Sequence, residues 1–420
     1  MTDALVTQRR EIESRRKERY IERDVPHTGK HGTLIRVISG PRRAGKSFFA
    51  MHQLPDNGKF GYVNFDDERL ATKEGSEIIA ALQEAFDAPK TLFLDEIQNL
   101  NTWELFVNRL QREGYTLILT GSNSQLLSSE LATHLTGRYL QTTIFPFSFR
   151  EVLRTREITL TTSEKQALLD KYAKTGGFPE VILKDVDGKE YLSSLFDAVV
   201  YKDIVKRYNI RSIPAIEDLA TYLISNIACE YSYSTLATVT RSRSANTIKK
   251  YLGYLEQTFL FFSIPRFSFK VKEQITANRK IYCIDNGFIQ AKSAWFSENR
   301  GQLFENLVAI TLKRHEMNGM LNLYTWKNVQ QEEVDFVIQR RRRVSELIQV
   351  CTTTESPVTR EREVRALLKA GQDLRCTKLR ILTETEERVV DEEWFGRKGT
   401  IIYEPLSKWL ERDGIDGTEE

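Results

Sequence analysis

The chain has 420 residues, of which 40% are hydrophobic and 28% are charged, and its formal net charge is +3. A chain of this length is too long for one compact core, and about three domains are predicted. Because the net charge is nearly neutral, any nucleic-acid-binding surface must be a local patch. Four widely spaced cysteines argue against a zinc module or a disulfide framework and favour a reducing cytosol. No apolar run approaches the ~20 residues of a membrane span, so a cytoplasmic protein without a membrane partner is expected.

Residues 1–30 are predicted to form a charged helix. Arginine, lysine and glutamate dominate residues 8–21, and few apolar side chains lie among them. This pattern favours a solvated helix with ion pairs one turn apart. A nucleic-acid-binding arm is the alternative.

Residues 40–47 fit the phosphate-loop pattern G-x-x-x-x-G-K-[ST] between an apolar strand and a predicted helix. In such a loop, successive backbone N–H groups bind phosphate oxygens at a helix N-terminus. The lysine would reach the β- and γ-phosphates and the serine would ligate Mg²⁺, which predicts ATP and Mg²⁺ as cofactors. The predicted nucleotide-binding residues of the loop are Gly40, Pro41, Arg42, Arg43, Ala44, Gly45, Lys46 and Ser47.

A third strand, residues 91–96, ends in two acids, which is the Walker B pattern. Asp95 lies at the carboxyl end of this strand and would support Mg²⁺. Glu96 would orient and polarise the attacking water. The position of this strand, roughly 50 residues after the phosphate loop, strengthens the assignment.

Two further positions are candidates for sensing or completing the site. The fourth strand, residues 116–120, runs into Gly-Ser-Asn, where Thr120, Ser122 or Asn123 would sense the γ-phosphate. A turn that caps the next helix is the alternative. Arg138 is a candidate arginine finger, acting in its own site or in that of a neighbour in a ring, and a structural ion pair is the alternative.

The segments that follow predict a helical lid at residues 151–210 and a winged helix at residues 211–275. The third helix of the winged helix would place core residues at helical spacing on one face and basic residues on the other. The basic residues that would bind DNA phosphates are Arg241, Arg243, Lys249 and Lys250. A winged helix used for protein contacts is the alternative.

Seven motifs together resemble the prokaryotic AAA-type ATPases with a C-terminal "domain of unknown function 4143". They are residues 40–47, LDEIQ at 94–98, GSN at 121–123, GRY at 137–139, FPFSFRE at 145–151, GGFP at 176–179 and YCIDNG at 282–287. The resemblance covers nearly the whole chain. It implies an α/β P-loop core of the additional-strand class at residues 31–150, a homo-oligomer such as a ring, and a PD-(D/E)xK nuclease-like α/β domain at residues 276–410. Residues 411–420 are predicted to be a frayed tail.

The nuclease-like site is predicted to be inactive. Glu305 and Asp335 occupy acidic positions, but Gln349 and Cys351 stand where (D/E)-x-K is expected. A glutamine brings no negative charge to a metal, and a cysteine cannot replace the lysine cation. Glu346, three positions earlier on the strand, faces the opposite side. Beside this site, a predicted hairpin tip of four arginines would bind a phosphate backbone, and an exposed solubilising turn is the alternative. These arginines are Arg340, Arg341, Arg342 and Arg343.

The sequence therefore predicts a Mg²⁺-dependent ATPase that couples nucleotide turnover to DNA or protein binding by its C-terminal half. A slow nucleotide-gated switch of the regulatory or defence kind, which oligomerises on binding ATP, is the second hypothesis. An active metal-dependent nuclease is the third.

Overall fold

The computed structural model describes residues 1–25, 34–55, 58–70, 73–122, 138–242, 244–293 and 299–414. The chain divides into two compact units, residues 1–146 with 257–259, and residues 147–256 with 260–420. Within the described ranges, no helix is both long and apolar enough to cross a bilayer.

The first unit is built on a five-stranded parallel sheet in the order β2-β3-β4-β1-β5. Strand β4 lies between β1 and β3, which confirms the predicted α/β core of the additional-strand class. Parallel strands bring their carboxyl ends to one edge, where the site residues collect. The elements are α1 (Thr2–Arg15), β1 (Ile35–Ser39), α2 (Lys46–Met51), β2 (Phe60–Asn64), α3 (Gly75–Phe86), β3 (Thr91–Asp95), α4 (Trp103–Arg112), β4 (Thr116–Gly121) and β5 (Tyr139–Thr143).

Helix α1 is the predicted charged helix, but the expectation that it is an exposed, solvated helix is wrong for one of its faces. Leu5 and Ile12 are buried in the core of the first unit. Gln8 donates to the carbonyl of Asn64 at 3.3 Å, so the buried face also anchors the end of β2. The buried residues of α1 are Ala4, Leu5, Gln8 and Ile12, a narrow stripe that is hard to detect among the many charged residues of this segment.

The second unit begins with helices and a small antiparallel sheet in the order β6-β8-β7. Strand β8, which the sequence analysis placed in the nuclease-like domain, pairs with both β6 and β7 and completes this sheet. The elements are α5 (Phe149–Arg154), α6 (Thr162–Thr175), α7 (Pro179–Leu183), α8 (Gly188–Ala198, continued by a π-helical stretch Val199–Lys206), α9 (Ile213–Ser225), β6 (Glu230–Tyr231), α10 (Tyr233–Val239), α11 (Ala245–Gln257), β7 (Phe261–Pro265), α12 (Val271–Thr276), β8 (Arg279–Cys283) and α13 (Asn286–Lys292).

The helices predicted as a lid are tied to α13 by a buried carboxylate. The N–H groups of Gly177 and Gly287 donate to the two oxygens of Asp285, at 2.7 and 2.8 Å. A Cβ on Gly176 would lie 1.7 Å from the same carboxylate, and its φ of +72° favours glycine as well. The GGFP and YCIDNG motifs therefore interlock within the second unit.

A six-stranded mixed sheet in the order β13-β14-β12-β11-β10-β9 completes the second unit. Helix α15 packs Leu367 and Val364 against sheet residues such as Val337 and Ile381. Asp413, expected in the frayed tail, is buried and pairs with Arg314 at 3.1 Å. The elements are α14 (Arg300–Met317), β9 (Asn322–Lys327), β10 (Glu333–Arg340), β11 (Arg343–Val350), α15 (Pro357–Leu374), β12 (Leu379–Thr383), β13 (Arg388–Trp394), β14 (Arg397–Pro405) and α16 (Leu406–Glu411).

Candidate nucleotide site

The phosphate loop connects β1 to α2 through two glycines with positive φ. Gly40 has φ +141°, and a Cβ there would lie 2.0 Å from the carbonyl oxygen of Ile144. Gly45 has φ +93° and directly precedes α2. A guanidinium supports the loop, because Arg23 donates to the carbonyl of Ala44 at 3.0 Å. The glycines are thus required by close backbone approach and by dihedral angle.

Asp95 lies beside the loop at the end of β3 and is held by three hydroxyl groups. Ser47 Oγ donates to Asp95 Oδ1 at 2.8 Å, and Thr120 Oγ1 donates to the same oxygen. Tyr62 donates to Asp95 Oδ2 at 3.1 Å. The Thr120 hydroxyl also accepts the N–H of Glu96 at 3.0 Å, so one side chain of β4 positions both acids.

Glu96 has a left-handed backbone, φ 52° and ψ 45°, which a non-glycine residue adopts at a cost. Its carboxylate lies 3.7 Å from Lys46 Nζ and accepts a hydrogen bond from Gln98 Nε2 at 2.5 Å. The Lys46 ammonium also donates to the carbonyl of Pro41 at 3.0 Å. The loop lysine and the predicted water-activating acid therefore meet in the site.

The two acids differ in pKa. Burial raises the pKa of Asp95, and the neighbouring charge of Glu96 raises it further, against the hydrogen bonds from Thr120 and Ser47. Burial also acts to raise the pKa of Glu96, but the Lys46 ammonium and the Gln98 amide bring it below its usual range. Glu96 is therefore ionised at neutral pH and available as a hydrogen-bond acceptor.

A divalent ion fits the edge of this site that Ser47 and Asp95 share. Mg²⁺ is usually held by one or two protein oxygen ligands together with phosphate oxygens and waters. In the described part of the chain, no group of three or more His, Cys, Asp and Glu side chains could hold a metal ion by itself.

Of the other predicted site residues, Arg138 lies away from the site, whereas Thr120 and Ser122 lie in it. The carbonyl of Arg138 accepts the N–H of Ile35 at 3.0 Å, which puts Arg138 at the amino ends of β1 and β5. Its side chain is exposed, and the length of β5, about 17 Å, separates it from its own phosphate loop. Thr120 binds the two acids, and Ser122 Oγ lies 3.4 Å from Gln98 Nε2. Asn123 lies outside the described residues.

Sequence reasoning did not assign Tyr62, Gln98 or Arg23 to the site. Gln98 could have been predicted as a site residue, because it lies only two positions after Glu96 in the sequence. Tyr62 contacts Asp95 only through the register of two neighbouring strands, and Arg23 reaches the loop from a segment without regular structure. Nothing in the local pattern points to either residue.

Three family models match the chain in succession. Residues 33–153 match an "AAA domain", residues 166–299 match a "Domain of unknown function (DUF8612)", and residues 300–397 match a "Domain of unknown function (DUF4143)". The predicted AAA domain and domain of unknown function 4143 are confirmed. The segment that contains most of the lid and the predicted winged helix has a family model of its own.

Two relatives share most of the length. The uncharacterized protein MJ1544 of Methanocaldococcus jannaschii is 35% identical, over 95% of this chain and 92% of that protein. An uncharacterized protein of Haemophilus influenzae is 32% identical, over 81% of this chain and 87% of that protein.

Solved structures match more distantly. "Replication initiator DnaA bound to AMPPCP and single-stranded DNA" is 15% identical, covering 58% of this chain and 91% of that one, with a TM-score of 0.31. Cdc6p from Pyrobaculum aerophilum is 13% identical, covering 73% and 98%, with a TM-score of 0.27. The sequence identity to the two relatives, over nearly the whole length, assigns this chain to the family of MJ1544 and its Haemophilus influenzae relative, with an AAA domain followed by DUF8612 and DUF4143 domains.

Proposed function

We propose that the chain is a Mg²⁺-dependent ATPase whose turnover drives rearrangement of its C-terminal half. The observation that carries this proposal is the cluster at the ends of β3 and β4, where Thr120 positions a metal-side acid and a water-side acid together. Lys46 and the loop N–H groups bind phosphates, and Ser47 with Asp95 supports the metal. Bound Mg²⁺ would neutralise phosphate charge.

Glu96 is the proposed water-activating residue. Its low pKa keeps the carboxylate ionised, and its anchored N–H and the Gln98 amide fix its direction. Lys46 is paired with Glu96 at 3.7 Å. A γ-phosphate competes for the Lys46 ammonium, which frees the Glu96 carboxylate to accept a proton from water. Nucleotide binding and activation of the base are coupled through this one lysine.

The test is Glu96→Gln, which keeps the size of the side chain and removes its basicity. ATP binding persists, and hydrolysis falls by about 10²–10⁴-fold. Glu113→Gln is the matched control, because Glu113 is half exposed and pairs only loosely with Arg109, at 3.8 Å. Hydrolysis by Glu96→Gln at the wild-type rate would refute this assignment of the base.

The proposed partner of the C-terminal half is DNA. Helices α9, α10 and α11 with the β6-β8-β7 sheet have the element order of a winged helix. On α11, Ile248 and Leu252 are buried while Lys249 and Lys250 are exposed, and Arg241 is exposed just before the helix. Arg243 lies outside the described residues. These cations suit phosphate contacts that are independent of sequence, and a protein partner on the same face is the competing proposal.

A nucleotide-gated switch that assembles on binding ATP is the second candidate. The position of Arg138 supports the assembly step of this candidate, because the exposed side chain is remote from its own loop and would complete a site only in a neighbouring subunit, as it also would in an assembled ATPase. Particle mass measured with and without ATP and DNA separates the candidates. Slow turnover with ATP-dependent assembly supports the switch. Strong stimulation of ATP turnover by DNA supports the first candidate, the ATPase whose turnover drives rearrangement of the C-terminal half.

A further inference from the structure

The acidic pair of the predicted nuclease-like site meets a lysine from another sheet. Lys280 lies on β8, and its Nζ is 3.1 Å from Glu305 Oε1 on α14 and 3.0 Å from Asp335 Oδ1 on β10. Glu333 Oε1 lies 3.4 Å from the same nitrogen. The Lys280 side chain is only 5% exposed, so carboxylate oxygens take the place of water around its ammonium group.

Each of the two carboxylates also accepts a further hydrogen bond. Asp335 Oδ2 accepts the N–H of Val350 at 3.0 Å. Glu305 Oε1 accepts the Tyr282 hydroxyl at 2.8 Å as well as the lysine. An ammonium with several acceptors inside a protein is stabilised by charge-assisted hydrogen bonds.

The residues that would complete a metal site have other partners. Gln349 accepts the N–H of Asp335 at 3.1 Å and donates to Glu363. The Cys351 thiol donates to the carbonyl of Thr353 at 2.9 Å. Glu346 faces away and pairs with Arg380 at 2.7 Å. While the Lys280 ammonium lies between the two carboxylates, the site therefore does not fit a divalent metal, which needs carboxylate oxygens about 2.0–2.6 Å from its centre.

We propose that Glu305 and Asp335 form a cation site whose resident cation is the Lys280 ammonium, in place of a divalent metal. The lysine joins the small antiparallel sheet to the six-stranded sheet at the position where the nuclease resemblance implies metal binding. On this proposal the site has a structural role and does not perform metal-dependent cleavage. Removing the ammonium would leave two facing carboxylates that are able to bind a divalent ion.

The ionisation of these groups agrees with this arrangement. Burial acts to lower the pKa of Lys280, but Glu305 and Asp335 raise it well above its ordinary value. Burial and the charge of Asp335 raise the pKa of Glu305 to about 7, because one ammonium does not offset all the negative charge.

The test counts Mn²⁺ bound per chain without nucleotide. Every full-length chain carries Ser47→Ala, so that the phosphate loop contributes no ion. We expect no tightly bound Mn²⁺ in this parent. With Lys280→Ala added, about one Mn²⁺ per chain binds and raises the unfolding temperature by several degrees, and adding Asp335→Asn abolishes both effects.

Lys369→Ala is the matched control, because it removes another ion-paired lysine, one that lies 2.6 Å from Glu332, and it should gain no Mn²⁺. Tightly bound Mn²⁺ in the parent chain overturns the proposal, as does a folded Lys280→Ala chain that binds none. If Lys280→Ala folds only when Mn²⁺ is present, the proposal is supported. If Mn²⁺ does not restore folding, it is rejected.

Discussion

The hairpin between β10 and β11 pairs Arg340 with Arg343 and turns through Arg341 and Arg342. Both turn residues are left-handed, with φ 47° and 73°. This is the type I′ geometry, for which Asn-Gly is the favoured sequence. A left-handed conformation costs an L-residue roughly 1–2 kcal/mol, and glycine and asparagine largely escape this cost. Two such residues cost about 2–4 kcal/mol, and the gain is partly offset because asparagine keeps its Cβ and glycine gains freedom in the unfolded chain, so Arg341→Asn with Arg342→Gly should raise the free energy of unfolding by about 1–2 kcal/mol.

The same double change removes two exposed cations, and we expect it to weaken DNA binding while it stabilises the fold. If both arginines contact phosphates, the slope of log affinity against log salt decreases by about 1.8. Urea unfolding and fluorescence anisotropy with duplex DNA at several salt concentrations measure the two effects. Arg341→Lys with Arg342→Lys keeps the charge and the strain, and serves as the control. An unchanged salt slope in the Asn-Gly variant would refute the phosphate contact, and lower stability would refute the strain argument.

Three further predictions concern other parts of the chain. Thr120→Val leaves the Glu96 N–H without its acceptor, so the free energy of unfolding should fall by about 1–3 kcal/mol and ATP turnover by about 10–100-fold. Thr142→Val is the control, and equal turnover in the two variants would contradict the role of Thr120. Leu5→Ala costs about 2–5 kcal/mol because Leu5 is fully buried, whereas Leu105→Ala, at 66% exposure, has little effect in the same urea titration; equal losses would mean that α1 is not part of the core. Burial raises the pKa of Asp285 to about 7, so the folded state holds this proton more tightly than the unfolded state, and stability from this group falls as pH rises from about 4 to 7. Unfolding of Asp285→Asn should lose this pH dependence, and parallel curves for variant and wild type would contradict it.

The phosphate loop and the two acids were predictable because each rests on local spacing. The phosphate loop at residues 40–47 is recognised from its own sequence alone. Asp95 is recognised because it ends a predicted strand that follows the loop in a parallel sheet. Parallel strands place both at one edge of the sheet, so the meeting of Ser47 with Asp95 follows from chain order. The order of the sheet itself came from the family resemblance, and the structure confirms it.

Contacts set by register were not predictable. Thr120 was one of three candidate sensor residues, and the sequence did not indicate that its position on β4 beside the end of β3 brings its hydroxyl to both Asp95 and Glu96. Lys280 contacts Asp335 across 55 residues of sequence, and the sequence of its strand, RKIYC, does not indicate which acid it pairs with. The packed face of α1 was missed because a narrow stripe carries little periodic signal among many charges.

The two acid–lysine clusters in this chain differ in what a divalent ion would have to displace. Asp95 is held by hydroxyl groups, and the Ser47 hydroxyl can rotate from donating to Asp95 to serving as a metal ligand itself. Asp335 is held by a backbone N–H and by the Lys280 ammonium, which has no lone pair to offer a metal. A metal at Asp95 therefore replaces neutral, mobile donors, whereas a metal at Asp335 must expel a buried cation. The first cluster is open to ligand exchange and the second is closed, so chemistry in this chain is expected at the phosphate loop.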